Sequence, residues 1–481
     1  MLQTLKNAWK TKDIRSKIIF TLFILVLYRI GTVIPVPFVN ASSFSGKLNG
    51  TILQYMDTLS GGALINATLF ALGVSPYINA SIIIQLLAVV FPRLGELAKD
   101  DKEKMNFITR IVTIALAIVT AIGYYLMLDS EPGMLANAAN PDENSMAWFY
   151  AIVIVACYVA GASIVMWLAE RINERGIGNG ISIILFANIV ASIPDLFYKL
   201  ITLAIDTYQY ANNAWLYGIL STLFALIVIA ALFFTVVFII WVTGSERRIP
   251  VQYAKRVVGR KMYGGQSSNI PLKLNMTGVM PVIFASSIVS LVPTILQLCR
   301  VSPDGKGFWS WLYRFLAQDG VMYPLMLFIL IIAFAYFYTQ ITFDPIDVAN
   351  NLKKQGGAIP GIRQGRPTAD YIRKILNKVT LVGALFLSII AVTPVVLGSH
   401  VIQPFLEWLV SPYYAGTWFE YITISDGMTY ADYYTQMTAS SLAGTFTFGG
   451  TSILIVVGVA LETFRELEAQ LTMRNYKGFL N

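Results

Sequence analysis

Residues 60–85 read SGGALINATLFALGVSPYINASIIIQ, and the reading of this stretch decides the fold. Ser60, Gly61 and Gly62 open it. Gly73 and Pro76 close an apolar run of ten residues that extends from Ala63 and Leu64 to Leu72. As a helix that run is roughly 15 Å long, too short for the ~30 Å hydrocarbon core of a bilayer. Glycine and proline separate it from both neighbours. Non-spanning backbone survives at membrane depth only against protein or in a water-filled cavity. The run therefore reads as a half-helix filling a cavity from the outer side; the alternative is an amphipathic helix lying in the outer headgroups. Directly after it, Ile78 and Ile82 stand four apart on one helix face, and Asn79 and Gln85 place polar groups in an apolar segment. The pattern recurs at Leu185 and Ile189, with Asn188 beside them. Taken singly, each such apolar pair also reads as lipid-facing or core filling.

Working outward, the chain offers ten apolar runs near the length a spanning helix requires: 18–34, 76–91, 107–128, 146–168, 181–203, 215–242, 276–298, 322–343, 379–397 and 442–461. With 481 residues, 56% of them hydrophobic and 13% charged, it is an integral membrane protein and not a soluble enzyme. Lys6, Lys10, Lys12, Arg15 and Lys17 precede the first run without a small-residue cleavage site, so that run is expected to remain as a span. Counting spans puts 29 of the 35 basic residues on one side, against Lys47, Lys199, Arg300, Lys306 and Arg314 on the other and Arg29 within the first span. The asymmetry places both termini in the cytoplasm. Ten spans split into two sets of five, and an odd number per half inverts the second half relative to the first. The expected fold is an all-α membrane protein with ten transmembrane helices in two inverted five-helix halves and a short re-entrant helix. Its segments are 1–17, a half over 18–204, a half over 205–461, and a cytoplasmic tail over 462–481.

Two cytoplasmic loops, 245–275 and 344–378, carry seven basic residues each, among them Arg247, Arg248, Lys255, Arg256 and Arg363. Orientation and anionic lipid account for short basic loops; two of about 30 residues suggest a docking platform for something large and anionic. Gly361 and Gly365 flank Arg363, and Pro360 and Pro367 stiffen the segment, which holds the guanidinium out at a tip. No catalytic constellation is present: there is no phosphate-binding P-loop, HExxH, or GxSxG with a histidine partner. Cys157 and Cys299 form no CxxC, and His400 reads as a boundary residue, so no metal or cofactor is expected. A secondary transporter shares ten spans and a broken helix but needs an intramembrane charge near the midplane. Arg29 can snorkel outward, Asp195 follows Pro194 towards the outer side, and Glu462 lies near the cytoplasmic end of its span. An intramembrane enzyme needs a nucleophile paired with a base, and the lone His400 sits at the outer boundary.

Several stretches carry a resemblance, in order along nearly the whole chain: Tyr28-Arg29-Ile30-Gly31, Ser60-Gly61-Gly62-Ala63-Leu64, Phe70 to Ile78, Glu174-Arg175-Gly176-Ile177-Gly178-Asn179-Gly180, Arg247-Arg248-Ile249-Pro250-Val251-Gln252-Tyr253-Ala254-Lys255-Arg256, Pro281 to Ser287, Pro360-Gly361-Ile362-Arg363, Phe448-Gly449-Gly450-Thr451-Ser452 and Arg474 to Phe479. Together they resemble the SecY/Sec61 alpha family, the channel subunits of the Sec protein translocon. The resemblance implies a protein-conducting channel without enzymatic activity in the bacterial cytoplasmic membrane. It passes unfolded secretory polypeptides and releases membrane helices sideways into lipid. It makes Ser60, Gly61, Gly62, Ala63, Leu64 and Leu72 part of a plug. Ile78, Ile82, Leu185, Ile189, Ile283 and Ile455 become a hydrophobic pore ring, and Gln85, Ser286 and Ser287 lateral-gate residues that supply hydrogen bonds between helices. Arg247, Arg248, Lys255, Arg256 and Arg363 would dock the SecA motor ATPase and the ribosome. Implied partners are also the small membrane subunits SecE and SecG, signal sequences and membrane lipid. One departure is the long 398–441 connection, which has no Lys or Arg and many Tyr residues; it is expected to form a small outer-face subdomain.

Overall fold

The computed structural model describes residues 6, 8–40, 52–130, 135, 147–210, 214–253, 256–258, 261–263, 267–299, 301, 305, 307–317, 320, 322–414 and 450–472. The apolar runs fold as helices. They are α1 (Lys12–Gly31), α2 (Ile52–Ser60), α3 (Ser75–Val90), α4 (Pro92–Asp100), α5 (Lys102–Ser130), α6 (Ala147–Arg175), α7 (Gly180–Tyr210) and α8 (Ala214–Gly244). A small β region follows, then α9 (Met280–Leu298), α10 (Phe308–Leu316), α11 (Met322–Thr342), α12 (Pro345–Lys354) and α13 (Arg366–Leu397). The ninth apolar run continues past Leu397 through a π-helical turn at Gly398–Ile402 into α14 (Gln403–Tyr414). Residues 415–449 lie outside the described residues, and 450–472 form the last helix, α15.

Six stretches are long and apolar enough to cross a membrane: Glu103–Asp129, Trp148–Arg175, Gly180–Ile205, Gly218–Gly244, Met322–Lys354 and Arg366–Trp408. Ser75–Val90 and Met280–Leu296 are shorter apolar helices. The burial pattern is that of a protein solvated by lipid. Phe233 is 72% exposed and Ile227 66%, whereas Asn188 and Ser388 are fully buried. Hydrocarbon solvates the bulky apolar side chains, and the polar ones turn inward to partners on other helices. The chain is a multi-pass membrane protein.

Two expectations are corrected. The 63–72 run is not a helix. The short helix is α2, which ends at Ser60, and residues 61–74 follow it as a succession of turns. The chain leaves helical geometry at Gly61 and Gly62, whose φ angles are +71° and +85°. The turns are closed by the Gly62 N–H on the Asp57 carbonyl at 3.0 Å, the Ala67 N–H on Leu64 at 3.1 Å and the Gly73 N–H on Phe70 at 2.8 Å. Ala67 sits at φ +45°, an unusual conformation for a residue with a side chain. Its carbonyl accepts the Val36 N–H at 3.1 Å, which ties the turns to the chain after α1.

The second correction concerns the all-α class. The loop after α8 contains β1 (Glu246–Tyr253), β2 (Arg256–Val258), β3 (Lys261–Tyr263) and β4 (Ser267–Lys273), and the second basic loop contains β5 (Gly357–Ala358). β1 pairs antiparallel with β4 from Glu246↔Lys273 to Gln252↔Ser267. It also pairs with β5 at Gln252↔Ala358 and Tyr253↔Gly357. Ile249, Val251 and Leu272 of the sheet bury against Leu352, Ile359 and Ile372 from the second loop. The two basic loops are therefore one body. It shares an end of the bundle with the start of α1 and the end of α15. Ala8, Ile14, Ile177 and Leu467 cluster there, and Arg465 Nη2 donates to the Thr243 carbonyl at 2.9 Å where α8 ends.

The turns rest directly on α6: a Cβ at Gly161 would lie 1.9 Å from the Leu69 carbonyl oxygen. Gly161→Ala is expected to push residues 61–74 off this helix. Overpacking of this kind costs about 1–3 kcal/mol, seen as a fall of a few degrees in the unfolding temperature of the purified protein in detergent. An unchanged temperature would show that the backbone approach is not tight.

Candidate functional site

Six aliphatic side chains from four helices fall in one buried apolar cluster of the bundle. Ile78 and Ile82 come from α3, Leu185 and Ile189 from α7, Ile283 from α9 and Ile455 from α15. None is more than 5% exposed, and all belong to one contiguous apolar cluster. Sequence spacing pairs the first four within their own helices; the fold brings in Ile283 and Ile455. Leu59, on the last turn of α2, belongs to the same cluster and carries it towards the 61–74 turns. Of those turns, Leu64, Ala71 and Leu72 pack in a second cluster with Ala117, Tyr124, Ile154 and Tyr158 on α5 and α6.

Above this apolar centre the end of α2 is held by polar side chains. Asn188 Nδ2 donates to the Leu59 carbonyl at 2.7 Å and to the Tyr28 hydroxyl at 2.8 Å. Tyr28 donates to the Ser60 carbonyl at 3.5 Å. Arg29 Nη1 donates to the Gly61 carbonyl at 3.3 Å, and Nη2 donates to the Ala187 carbonyl at 2.8 Å. Tyr124 donates to the Leu64 carbonyl at 2.6 Å. Within the segment the Asp57 carboxylate accepts the Ile65 N–H at 2.9 Å, and Ser60 Oγ accepts the Leu64 N–H at 3.2 Å. Arg29 therefore does not snorkel outward; it turns into the bundle. Gly61 is required here, because a Cβ would lie 2.9 Å from both Arg29 Nη1 and Asn188 Oδ1. Ser60, Gly62 and Ala63 lie in the same short stretch, with the Ala63 carbonyl accepting the Thr68 hydroxyl at 3.1 Å.

The expected lateral-gate residues divide. Gln85 on α3 donates through Nε2 to Ser81 Oγ within its helix at 3.1 Å, and its Oε1 accepts the hydroxyl of Tyr338 on α11. Tyr338 was not picked out by sequence reasoning, since a tyrosine in an apolar run reads as packing. Its ring also leans on Phe284 of α9, with centroids 5.1 Å apart. Ser286 donates to the Ile283 carbonyl of its own helix at 3.0 Å. The Ser287 carbonyl accepts the Ser290 hydroxyl at 3.1 Å. A second link that spacing did not show is the two-pronged pair of Arg110 on α5 with Glu170 on α6, both contacts 2.8 Å long.

On the platform Arg247, Arg248 and Arg363 are exposed. Arg363 stands on a turn closed by the Ile362 N–H on the Ile359 carbonyl at 3.1 Å, and the Thr368 hydroxyl fixes the Arg363 carbonyl at 2.8 Å. Arg248 Nε contacts Glu246 at 2.7 Å. Arg256 lies on β2, and Lys255 falls outside the described residues. Burial lowers the Lys273 ammonium below its ordinary value, Arg465 pushes it the same way and Glu246 opposes. Among the described residues no group of His, Cys, Asp and Glu is arranged to hold a metal.

The SecY family profile matches residues 68–417. The protein translocase subunit SecY of Streptomyces scabiei is 40% identical over 498 residues, covering 100% of both chains. The chain belongs to the SecY family. The Mycobacterium tuberculosis relative, also a protein translocase subunit SecY, is 39% identical over 495 residues, again over 100% of both chains. Solved channels share the fold at low identity. A structure described as a protein conducting channel superposes with a TM-score of 0.56 at 16% identity, covering 95% of this chain and 92% of the other. A second, described by the role of the SecY plug domain in stabilizing the closed state and maintaining a membrane seal, gives 0.55 at 17% identity over 95% and 92%. Sec61 in a canine ribosome–channel complex gives 0.52 at 15% identity over 95% and 92%.

The Tyr338–Gln85 bond is expected to couple α3 to α11. Tyr338→Phe and Gln85→Leu should each lower stability, by about 1 kcal/mol as is typical of interhelical bonds in membranes. The double variant should lose less than the sum. Additive losses in thermal unfolding would show that the two side chains do not interact.

Proposed function

We propose that this protein is the channel subunit of a bacterial protein translocase, carrying unfolded secretory polypeptides across the cytoplasmic membrane and releasing membrane-protein helices laterally into lipid. The observation that carries the reading is the convergence of Ile78, Ile82, Leu185, Ile189, Ile283 and Ile455 in one buried cluster next to α2 and the 61–74 turns. In this reading the six form the pore ring, and the segment from α2 to Leu72 is the plug. An aliphatic constriction gives a hydrated ion no partner and tends to dewet, which raises a barrier to ions. The same side chains close around a polypeptide of any sequence, since they read no polar pattern.

The ten spans form two inverted halves, with both termini in the cytoplasm. The fused basic sheet then faces the cytoplasm as the docking site for SecA or the ribosome, with Arg363 at its tip. The small subunits SecE and SecG complete the complex. The seam between α3 and α9, flanked by α5 and α11, is the lateral gate, with Gln85, Ser286 and Ser287 along it. A signal sequence leaving through it gains about 25 cal/mol per Å2 of apolar surface removed from water. The chain performs no catalysis, so the work of transport comes from the motor, the elongating ribosome or the membrane potential. In a transporter Arg29 would be left free for an ion or substrate, whereas here it is committed to the Gly61 and Ala187 carbonyls.

Site-specific photocrosslinking tests the channel. A probe at Ile189 should capture a ribosome-stalled secretory precursor, while one at Val119, which is 64% exposed on α5, should not. Equal labelling at both positions, or none at Ile189 in an assembled complex, overturns the reading. A polar residue at Ile283 or Ile455 should admit precursors with defective signal sequences. Arg363→Glu should abolish motor-driven export from a folded protein, and normal export by that variant would remove the docking role of the tip.

A further inference from the structure

We propose that Tyr28, Arg29, Tyr124 and Asn188 form a latch that holds the plug to the N-terminal half, and that this latch is a lock separate from the lateral gate. The inference rests on the channel reading above and adds to it how the closed state is held. The four donors share one chemistry. Each reaches a backbone carbonyl of the plug: Leu59 from Asn188 at 2.7 Å, Ser60 from Tyr28 at 3.5 Å, Gly61 from Arg29 at 3.3 Å and Leu64 from Tyr124 at 2.6 Å. The first two carbonyls close the end of α2, and Gly61 follows directly. A helix end leaves its last four carbonyls without partners and carries a partial negative charge of about half an electron. A guanidinium beside it is the strongest side-chain answer to both, and it explains a cation inside this bundle.

The remaining anchors of the plug point the same way. The Leu69 N–H donates to the Ile34 carbonyl at 2.9 Å, and the Ala67 carbonyl accepts from Val36 at 3.1 Å. Phe70 stacks on Tyr28 with ring centroids 5.5 Å apart. Leu64, Ala71 and Leu72 pack on α5 and α6. All of these partners lie on α1, the chain just after it, α5, α6 and α7. From the second half, Ile283 of α9 and Ile455 of α15 share the apolar cluster of Leu59, and Thr294 Oγ1 of α9 lies 3.7 Å from Met56 Sδ, a weak contact. The gate seam is held elsewhere, by Gln85 of α3 and Tyr338 of α11. Parting that seam moves the halves apart without touching the four plug bonds. The plug then stays seated on the N-terminal half until the entering polypeptide strips them. Because the latch reads carbonyls, it places no demand on the side chains of residues 52–60 beyond the turn at Gly61.

The test uses the chain in its membrane complex with its companion subunits, reconstituted into planar bilayers, with resting ion current as the readout. Asn188→Leu removes two bonds. Arg29→Lys keeps the charge but cannot span two carbonyls as a planar fork does. Tyr28→Phe keeps the ring on Phe70 and is the mildest of the three. The two stronger variants should raise the resting current about tenfold, the change that ~1.4 kcal/mol makes in a two-state equilibrium, and Tyr28→Phe by less. The second arm places Gln85→Cys and Tyr338→Cys in a background with Cys157 and Cys299 replaced, and bridges them with a bifunctional thiol reagent. The leak of Asn188→Leu should persist with the gate bridged. A leak that disappears on bridging makes gate and plug one lock and overturns the proposal. Variants no leakier than the parent, in a complex that still passes a precursor, remove the latch and leave the channel reading intact. A parent complex that passes no precursor overturns the channel reading and the latch with it.

Discussion

A helix that stops inside a membrane protein has a problem that a helix stopping in water does not. Its last carbonyls have no solvent to turn to, and an unsatisfied polar group in an apolar interior is costly. α2 stops in this way at Ser60, and the surrounding helices are built around the consequence. Asn188, fully buried on α7, spends both protons of its amide there, one directly on Leu59 and one through Tyr28. Arg29, which in an apolar span would otherwise be a liability, gives one prong to Gly61 and the other to Ala187 on α7. It thereby ties α1, the end of α2 and α7 together. Gly61 follows from the same arrangement, since any side chain would collide with these donors.

Beneath this polar cap the contacts change character. Leu59 carries the end of α2 into a cluster of apolar residues that form no directional bonds through their aliphatic side chains. The upper layer specifies one geometry, and the lower layer, as the proposed pore ring, would seal without specifying anything. That division suits a pore that must hold a defined resting state and still admit chains of unrelated sequence. The seam proposed as the gate lies between the two in character. The Gln85–Tyr338 bond gives it one directional link within a face of apolar and aromatic packing around Phe284.

The basic platform is governed by the same accounting of backbone groups. A loop of about 30 residues projecting from a membrane cannot stay rigid without partners for its own N–H and C=O groups. β1 takes them from β4 in its own loop and from β5 in the next. Ile249 and Val251 then find an apolar floor in Leu352, Ile359 and Ile372. Arg247, Arg248 and Arg363 are consequently presented on a folded surface.

The sequence by itself determined the solvent. Long apolar runs, a lopsided distribution of lysine and arginine, and glycine and proline around 61–76 establish a multi-pass membrane protein with a broken segment. The family motifs name six aliphatic residues that fall in one buried cluster. Three things were out of its reach. The apolar composition of 63–72 suggested a helix, yet helical hydrogen bonding does not survive Gly61 and Gly62, and the short helix lies one segment earlier. Glu246 to Tyr253 gave no strand signal strong enough to set against Pro250, because the strand exists through partners about 20 and 100 residues away. Arg29 and Asn188 were visible as polar residues in apolar runs, but not as partners of Gly61 and Leu59, and Tyr338 read as packing and not as a partner of Gln85. The reason is physical. Periodicity and composition record what each residue meets averaged over a helix face, lipid or protein or water. A hydrogen bond depends on two groups standing within about 3 Å of each other, and only the packed structure decides which groups those are.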